Sequence, residues 1–256
     1  MINTKSTTNK QIILNEWVDE YHQGVRYGLQ GKILIDELTK STIVIDPSEA
    51  EPIINKIESL NLKLRFIMNT HHHYDHVGGN KELKKLYNAK VIGFNEDKHR
   101  IPEIDISLKN DETWKEGIFE AKVFHIPGHT LGHICFYFFN ENALFSGDTL
   151  FSLGCGRVFE GTHEQMFNSL QLLKNLPIET EIYCGHEYTL KNSDFCLKHD
   201  PENKALISKI EFIKNRLANG QPTIPSTLEE ELQTNIFLRS KNVENFSKLR
   251  VLKDNF

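Results

Sequence analysis

The sequence has 256 residues, 39% of them hydrophobic, so it is long enough to bury a substantial core in one large domain or in a large and a small one. Its net charge of −5 and the absence of a local basic patch exclude a nucleic-acid partner, and its four widely spaced cysteines exclude a disulfide scaffold. Residues 1–15 contain no long apolar run, which argues against a signal peptide or membrane span and predicts a cytoplasmic protein without a membrane partner.

Short apolar runs rich in β-branched residues alternate with helical patterns over most of the chain. The runs predict strands at residues 32–38, 42–46, 65–69, 90–94, 121–126, 133–139, 143–146 and 181–184. Between them, apolar residues at helical spacing predict helices at residues 51–60, 80–87 and 164–176. This alternation is typical of an α/β fold.

The strand pattern ends after Tyr188, and only helical patterns follow. Apolar residues at helical spacing predict a helix over residues 201–219. A second, short helix is expected to begin at Ser226, where a carboxylate follows a hydroxyl by three residues as in a capping box. We therefore expect a large domain over residues 1–187 and a small, all-helical domain over residues 188–256.

A cluster of histidines directly follows the predicted strand at residues 65–69. The segment has the pattern His-x-His-x-Asp-His, and its candidate ligands are His71, His73, Asp75 and His76. In an extended segment alternate side chains share a face, so the first three can point together, and the fourth can join them once the chain turns. Such a cluster is costly to desolvate without a cation, and imidazole and carboxylate both suit zinc or iron. The pattern predicts a metal site.

Three further candidate ligands each follow a predicted strand and stand next to a glycine. They are His129 in Pro-Gly-His, Asp148 in Ser-Gly-Asp and His186 in Tyr-Cys-Gly-His. Strand ends that meet at one edge of the fold would bring them to the first cluster. The alternative interpretation, a polar loop with chance histidines, does not account for distant ligands placed at strand ends.

The order of these motifs resembles the metallo-β-lactamase superfamily. The resemblance implies an αββα sandwich, in which two sheets are covered by helices and the metals lie at one edge. It also implies two divalent metal ions, with zinc expected first and iron or manganese as alternatives. Metal one would be held by His71, His73 and His129, metal two by Asp75, His76 and His186, and Asp148 would bridge them. Asp75 and Asp148 are thereby also the candidate catalytic residues.

Longer segments resemble one family of that superfamily, glyoxalase II. They are residues 147–162, residues 183–189, and the C-terminal segments 225–231 and 250–256. The resemblance implies a hydrolase that converts S-D-lactoylglutathione and water to D-lactate and glutathione, the second step of methylglyoxal detoxification. A metal-bridging hydroxide would attack the thioester. The thiolate, with a reference pKa of about 8.5, can leave without a dedicated general acid.

The same resemblance implies which residues contact the glutathione thioester. The candidates are Arg157, Phe159, His186, Tyr188, Arg250 and Lys253. Glutathione carries carboxylates, and cationic side chains bind carboxylates through charge-assisted hydrogen bonds. Arg157 stands where some members have lysine, and Phe159 stands where some have tyrosine, which removes one hydroxyl contact.

Two other functions are compatible with parts of the pattern. Persulfide dioxygenases, which use a single iron, share much of the early metal motif but lack the paired basic residues near the C-terminus. A catalytically silent binding module of the same fold would be expected to lose ligands, and here all seven positions are filled. The chain is expected to be a monomer. The segment through Gly31 departs from the usual opening strand of the family and has no functional interpretation.

Overall fold

The computed structural model describes residues 31–256 and, before them, the backbone of three short strands. In chain order the strands are β1 (Ile12–Asn15), β2 (Glu20–His22), β3 (Val25–Tyr27), β4 (Lys32–Asp36), β5 (Ser41–Ile45), β6 (Lys63–Met68), β7 (Lys90–Phe94), β8 (Ile104–Leu108), β9 (Thr113–Glu116), β10 (Phe119–His125), β11 (Ile134–Phe138), β12 (Ala143–Gly147), β13 (Leu150–Phe151), β14 (Gly154–Cys155), β15 (Glu181–Cys184) and β16 (Ser226–Thr227). The helices are α1 (Glu51–Ser59), α2 (Tyr74–Val77), α3 (Asn80–Tyr87), α4 (His163–Leu173), α5 (Thr189–His199), α6 (Lys204–Ala218), α7 (Leu228–Thr234) and α8 (Val243–Asp254).

Two six-stranded sheets form the centre of the fold. The first has the order β1-β4-β5-β6-β7-β8, and its strands β5 to β8 run parallel to one another. The second has the order β16-β15-β12-β11-β10-β9 and is antiparallel except for the parallel pair β12 and β15. Helices α1 and α3 lie in the crossovers that parallel pairing requires.

The inner faces of the two sheets share one core. Leu34, Ile43 and Met68 from the first sheet pack in the same cluster as Phe136 and Phe145 from the second. Successive side chains of a strand point to opposite faces, so a central strand whose two faces are both covered is buried along its whole length. The burial of every residue in β11 and β12 follows from this arrangement.

Helices cover both outer faces, which gives the expected αββα sandwich. Helix α1 buries Ile53 and Ile57 in the cluster on the outer face of the first sheet. The outer face of the second sheet packs against α4 and the C-terminal helices, where Leu170, Phe195 and Phe246 belong to a single cluster. The C-terminal segment therefore shares its core with the second sheet.

The strand directions place several loops at one edge of the sandwich. Strand β11 is antiparallel to both β10 and β12, and β12 is parallel to β15, so the C-terminal ends of β10, β12 and β15 point the same way. The backbone N–H of Ile134 donates to the carbonyl of Thr70 at 2.9 Å, which ties the loop after β6 in the first sheet to the start of β11. The four loops that carry the candidate ligands follow β6, β10, β12 and β15, so they meet at this edge of the sandwich.

The predicted strands and helices are all present, with ends that differ by at most a few residues. The expected helix start at Ser226 was wrong, because Ser226 pairs with Ile182 as part of β16, and α7 begins at Leu228. Its capping box consists of Thr227 and Glu230. The C-terminal part is thus helical apart from this two-residue strand. None of the helices in the described part of the chain combines the length and apolar character needed to cross a membrane.

Candidate metal centre

The candidate ligands converge at the edge of the sandwich where the four loops meet. Their ligand atoms form three overlapping groups, and within each group the atoms lie within 4.8 Å of one another. The groups are His71, His73 and His129; His71, His76 and Asp148; and Asp75, His76 and His186. The structure therefore brings together all seven residues that the sequence singled out.

Several buried polar atoms at this site have no hydrogen-bond partner among the described residues, and a bound cation would provide one. His71 Nε2 is buried without a hydrogen bond, and His76 Nε2 faces Asp148 Oδ1 at 3.4 Å without forming one. A buried polar group without a partner costs about 1–3 kcal/mol. Imidazole nitrogens and carboxylate oxygens together suit zinc, iron and related divalent ions. The residues present fit a divalent metal site.

Asp148 lies between the two sets of histidines. Its Oδ2 is 3.6 Å from His129 Nε2 and 3.3 Å from His186 Nε2, while its Oδ1 is 3.4 Å from His76 Nε2. On the first side, His73 Nδ1 lies 3.0 Å from His129 Nε2. One carboxylate thus contacts side chains of both predicted ligand sets, which is the position expected of a bridging ligand.

Neighbouring groups orient the imidazoles so that the free nitrogens face the site. His129 Nδ1 donates to the carbonyl of Arg157 at 2.8 Å, which leaves Nε2 as the nitrogen with a lone pair. Thr70 Oγ1 lies 3.1 Å from His71 Nδ1, and Asp46 Oδ2 lies 3.0 Å from His76 Nδ1. Partners of this kind fix the ring orientation of metal-binding histidines.

The electrostatics of the site favour neutral imidazoles on one side and an ionised carboxylate at the centre. Burial lowers the pKa of His71 well below its usual range, and burial also lowers the pKa of His129. Burial alone would raise the pKa of Asp148, but His76 and His186 hold it well below its usual range. Burial acts against protonation of His76, yet the carboxylates of Asp148 and Asp46 raise its pKa to about 10. A cation at Nε2 would replace the proton on that side.

Two glycines are required by the close approach of loops at the site. A Cβ on Gly185 would lie 2.0 Å from Asp148 Oδ1, so a larger residue before His186 would displace the carboxylate. Gly147 has a φ of +49°, and a Cβ there would lie 2.4 Å from Thr70 Oγ1. These contacts explain the Gly-Asp and Gly-His dipeptides of the sequence.

Two further residues, Asp46 and His133, support the candidate ligands from behind. Asp46 is buried, and its carboxylate accepts hydrogen bonds from the Thr70 backbone N–H and hydroxyl, each at 2.7 Å. The available signal was a carboxylate at the end of a buried strand. His133, four residues after His129, accepts a hydrogen bond from the Asp148 N–H at 3.0 Å and stacks on His71 with ring centroids 4.6 Å apart.

The aromatic candidates for substrate contact flank the ligands. The Phe159 ring packs edge-on against His129 and His73, with centroids 5.2 and 5.9 Å apart. Tyr188 stacks on His186 at 4.7 Å. Phe159 is 61% exposed and Tyr188 47% exposed, so both rings form rims of the site that a ligand can reach.

The cationic candidates form a group around α8. Arg157 Nε and Arg250 Nε both donate to Asp254 Oδ1, at 3.2 and 3.1 Å. Arg250 is buried and also donates from Nη1 to the Cys155 carbonyl at 2.9 Å. Lys253 Nζ donates to the Lys191 carbonyl at 3.2 Å, and burial lowers the pKa of this lysine to about 8.

Comparison with known families divides the chain into two matched parts. Residues 33–186 match the profile of the Metallo-beta-lactamase superfamily, and residues 187–256 match the profile described as Hydroxyacylglutathione hydrolase C-terminus. A Hydroxyacylglutathione hydrolase of Pelagibacter ubique (strain HTCC1062) is 61% identical over 224 residues, which cover 88% of this chain and 94% of the relative. The corresponding protein of Methylococcus capsulatus is 46% identical over 204 residues, 80% of each chain.

Solved structures share the fold. ETHE1 from Myxococcus xanthus superposes with a TM-score of 0.66 at 21% identity, covering 94% of this chain and 89% of that one. TTHA1623, solved in a di-iron-bound form, has a TM-score of 0.52 at 28% identity, covering 62% of this chain and 88% of that one. The similarity to ETHE1 concerns the fold alone.

Proposed function

The chain belongs to the hydroxyacylglutathione hydrolase family of the metallo-β-lactamase superfamily, and from this premise we propose that it hydrolyses S-D-lactoylglutathione to D-lactate and glutathione. The observation that carries the proposal is that one chain combines the convergent histidine and aspartate site with the C-terminal segment of this family. The sequence distinguished persulfide dioxygenases, the alternative function, by their lack of the paired basic residues near the C-terminus, which here are Arg250 and Lys253.

We propose that the site holds two divalent cations, with zinc first and iron or manganese as alternatives. His71, His73 and His129 would hold one, Asp75, His76 and His186 the other, and Asp148 both. When bound, the pair would supply a water of lowered pKa and polarise the thioester carbonyl. TTHA1623, which is 28% identical, was solved with two iron ions bound, and this supports two metals for the related site proposed here.

The protein's own groups would orient the thioester and exclude water around it. Phe159 and Tyr188 stand on the rims of the ligand cluster, where they can enclose the acyl end and the cysteinyl part of the substrate. No acidic side chain has to protonate the leaving group, because a thiolate departs readily at neutral pH.

We propose that residues 188–256 form the substrate-binding domain and residues 1–187 the catalytic domain. The group around α8 would bind the glutathione carboxylates, with Arg157 and Lys253 as direct contacts. Arg250, which is buried and engaged by Asp254 and the Cys155 carbonyl, would hold that group against the loop after Asp148. Guanidinium and ammonium groups near a carboxylate make strong, charge-assisted contacts.

The test is hydrolysis of S-D-lactoylglutathione by the purified protein, followed as loss of thioester absorbance, with metal content measured on the same sample. We expect rapid hydrolysis with close to two metals per chain, and loss of activity on chelation that metal restores. Size-exclusion chromatography of the same sample should give a monomer. A fully metallated protein that leaves the thioester intact would overturn the substrate assignment. Oxygen uptake with glutathione persulfide and one iron per chain would support the dioxygenase.

A further inference from the structure

A network of charged side chains lies behind the ligand loop and takes no part in the proposed chemistry. His72, between two ligands, points away from the site, and its Nδ1 lies 2.9 Å from Asp97 Oδ2. Asp97 is fully buried and follows β7. Arg100 Nε donates to Asp97 Oδ1 at 2.5 Å, and Arg100 Nη1 donates to Glu160 Oε1 at 2.6 Å.

Glu160 connects this network to the rim of the site. Its Oε2 accepts a hydrogen bond from the backbone N–H of Leu131 at 2.8 Å, and the N–H groups of Phe159 and Glu160 both donate to the His129 carbonyl at 3.3 Å. Phe159, the residue next to Glu160, packs its ring on His129. Arg100 is therefore joined to the segment that carries the aromatic rim.

The packing around Asp97 leaves little room for adjustment. A Cβ placed on Gly132 would lie 2.4–2.7 Å from three atoms of the Asp97 side chain, so the loop after His129 lies directly against this carboxylate. A charge that is buried and hydrogen-bonded on several sides has few alternative positions, because leaving them would expose an unpaired charge to a poorly hydrated environment. Asp97 is thus a fixed point from which Arg100 extends.

We propose that Arg100 is a positioning residue that sets the place of the Phe159 rim relative to the histidine ligands. Through Asp97 and His72 it is anchored to the ligand loop, and through Glu160 it holds the segment of residues 157–162. This inference rests on the proposed function for the substrate involved, because the rim is proposed to enclose the glutathione thioester. It assigns Arg100 a role in substrate binding without direct contact with the substrate.

The first test is Arg100→Met in the metal-loaded protein. We expect the KM for S-D-lactoylglutathione to rise roughly tenfold, because residues in one hydrogen-bond and ion-pair network are energetically coupled. The kcat should change less, and metal content should stay the same. Hydrogen exchange of the backbone amides in residues 157–162 should become faster. Glu160→Gln, which leaves Asp97 paired, should give a smaller change in the same direction and covers the case in which Arg100→Met folds poorly.

Epistasis separates positioning from a merely structural role. If Arg100 acts through the rim, Arg100→Met should add nothing to the KM of a Phe159→Ala variant. Arg239→Met, which removes an arginine from an ion pair with Asp200 in the C-terminal part, is the matched control and should leave KM unchanged. An unchanged KM in both Arg100→Met and Glu160→Gln would overturn the inference.

The inference can be decided even where the proposed function fails. If the wild-type protein does not hydrolyse the thioester, the substrate assignment is lost, and hydrogen exchange alone then tests the network. In that case the backbone amides of residues 157–162 decide. If they exchange hydrogen as slowly in Arg100→Met and Glu160→Gln as in Arg239→Met, Arg100 does not position this segment.

Discussion

Asp46 lies directly behind His76, with its Oδ2 3.0 Å from His76 Nδ1 on the side opposite the candidate metal centre. Its two oxygens also accept the backbone N–H and the hydroxyl of Thr70, at 2.7 Å each. One buried carboxylate therefore sets the orientation of a candidate ligand and the start of the loop that carries the candidate ligands. A carboxylate of this kind fixes the imidazole ring and increases its basicity toward a metal.

Asp46→Asn should weaken metal binding while leaving the ligands themselves in place. An amide can replace one hydrogen bond but not the negative charge that faces His76, so we expect the affinity for zinc to fall about 10–100-fold. Titration against a competing chelator measures this directly. Asp36→Asn is the control, because Asp36 is a buried aspartate whose carboxylate accepts the N–H groups of Leu38 and Thr39 in the turn after β4. Equal zinc affinities in the two variants would contradict the role of Asp46.

Asp148→Asn should affect both predicted ligand sets, because the carboxylate contacts histidines of each. We expect metal content to fall below two per chain and thioester turnover to drop by at least about 100-fold, the scale associated with loss of a group that stabilises charge in the transition state. Metal analysis and steady-state kinetics on one sample test both parts. A variant with two metals and normal kcat would show that Asp148 is not the bridging residue.

The convergence of the candidate ligands could be predicted because these residues are close in sequence or follow strands that the pattern reveals. His71 and His73 converge as the spacing predicted, but Asp75 lies in α2 rather than in an extended segment and groups with His76 and His186. His129, Asp148 and His186 stand beside glycines after apolar runs. Asp46 and Arg100 could not be predicted in the same way. Their importance depends on which loops lie opposite them in the folded protein, and neither stands in a motif.

The C-terminal part shows the same limit at the level of secondary structure. The capping pattern at residues 226–231 correctly indicated a helix, but both Ser226 and Thr227 have a hydroxyl followed by a carboxylate three residues later. Pairing with β15 decides which residue caps the helix, because Ser226 pairs with Ile182 and leaves Thr227 as the N-cap of α7. Tertiary pairing thus decides between two local patterns of similar quality.

Lys253 should make substrate binding depend on pH. Burial lowers its pKa to about 8, so the ammonium is present below this pH and is lost as the pH rises through it. If the ammonium binds a glutathione carboxylate, KM should rise roughly tenfold or more above about pH 8, since a hydrogen bond to a charged group contributes about 1.5–3 kcal/mol. Lys253→Arg keeps its charge over this range and should flatten the KM profile between pH 7 and about 9.5. An identical rise in both proteins would exclude Lys253 as its cause.

Arg157 and Arg250 should respond differently to truncation although both contact Asp254. Arg157 is exposed and should contribute mainly to binding, so Arg157→Met is expected to raise KM with little change in stability. Arg250 is buried, and Arg250→Met would also leave the Cys155 carbonyl without its donor, so we expect a raised KM together with a loss of about 1–3 kcal/mol of unfolding free energy. Kinetics and urea denaturation of both variants provide the comparison. A normal KM in Arg250→Met would remove Arg250 from the proposed substrate-binding group.

Glu231 connects the hairpin after Asp148 to the C-terminal helices. Its fully buried carboxylate accepts the backbone N–H of Leu153 at 2.8 Å and the hydroxyl of Ser152 at 3.2 Å, and it pairs with Lys209 Nζ at 2.6 Å. Removing this carboxylate would leave Lys209 Nζ only the more distant Glu230 Oε2, 3.6 Å away, and would leave the buried Leu153 N–H without its acceptor. Glu231→Ala should therefore lower the unfolding free energy by about 3–5 kcal/mol.

The neighbouring Glu229 provides the control for this prediction. It lies in the first turn of the same helix and is exposed, so Glu229→Ala loses only a favourable interaction with the helix dipole, about 0.3–1 kcal/mol. Urea denaturation of both variants at equal metal content measures the difference. Because the hairpin held by Glu231 leads to the Cys155 carbonyl that Arg250 contacts, the surviving folded fraction of Glu231→Ala should also bind substrate less tightly. Equal stability of the two variants would show that Lys209 and the hairpin find other partners, and that Glu231 does not hold the two parts of the molecule together.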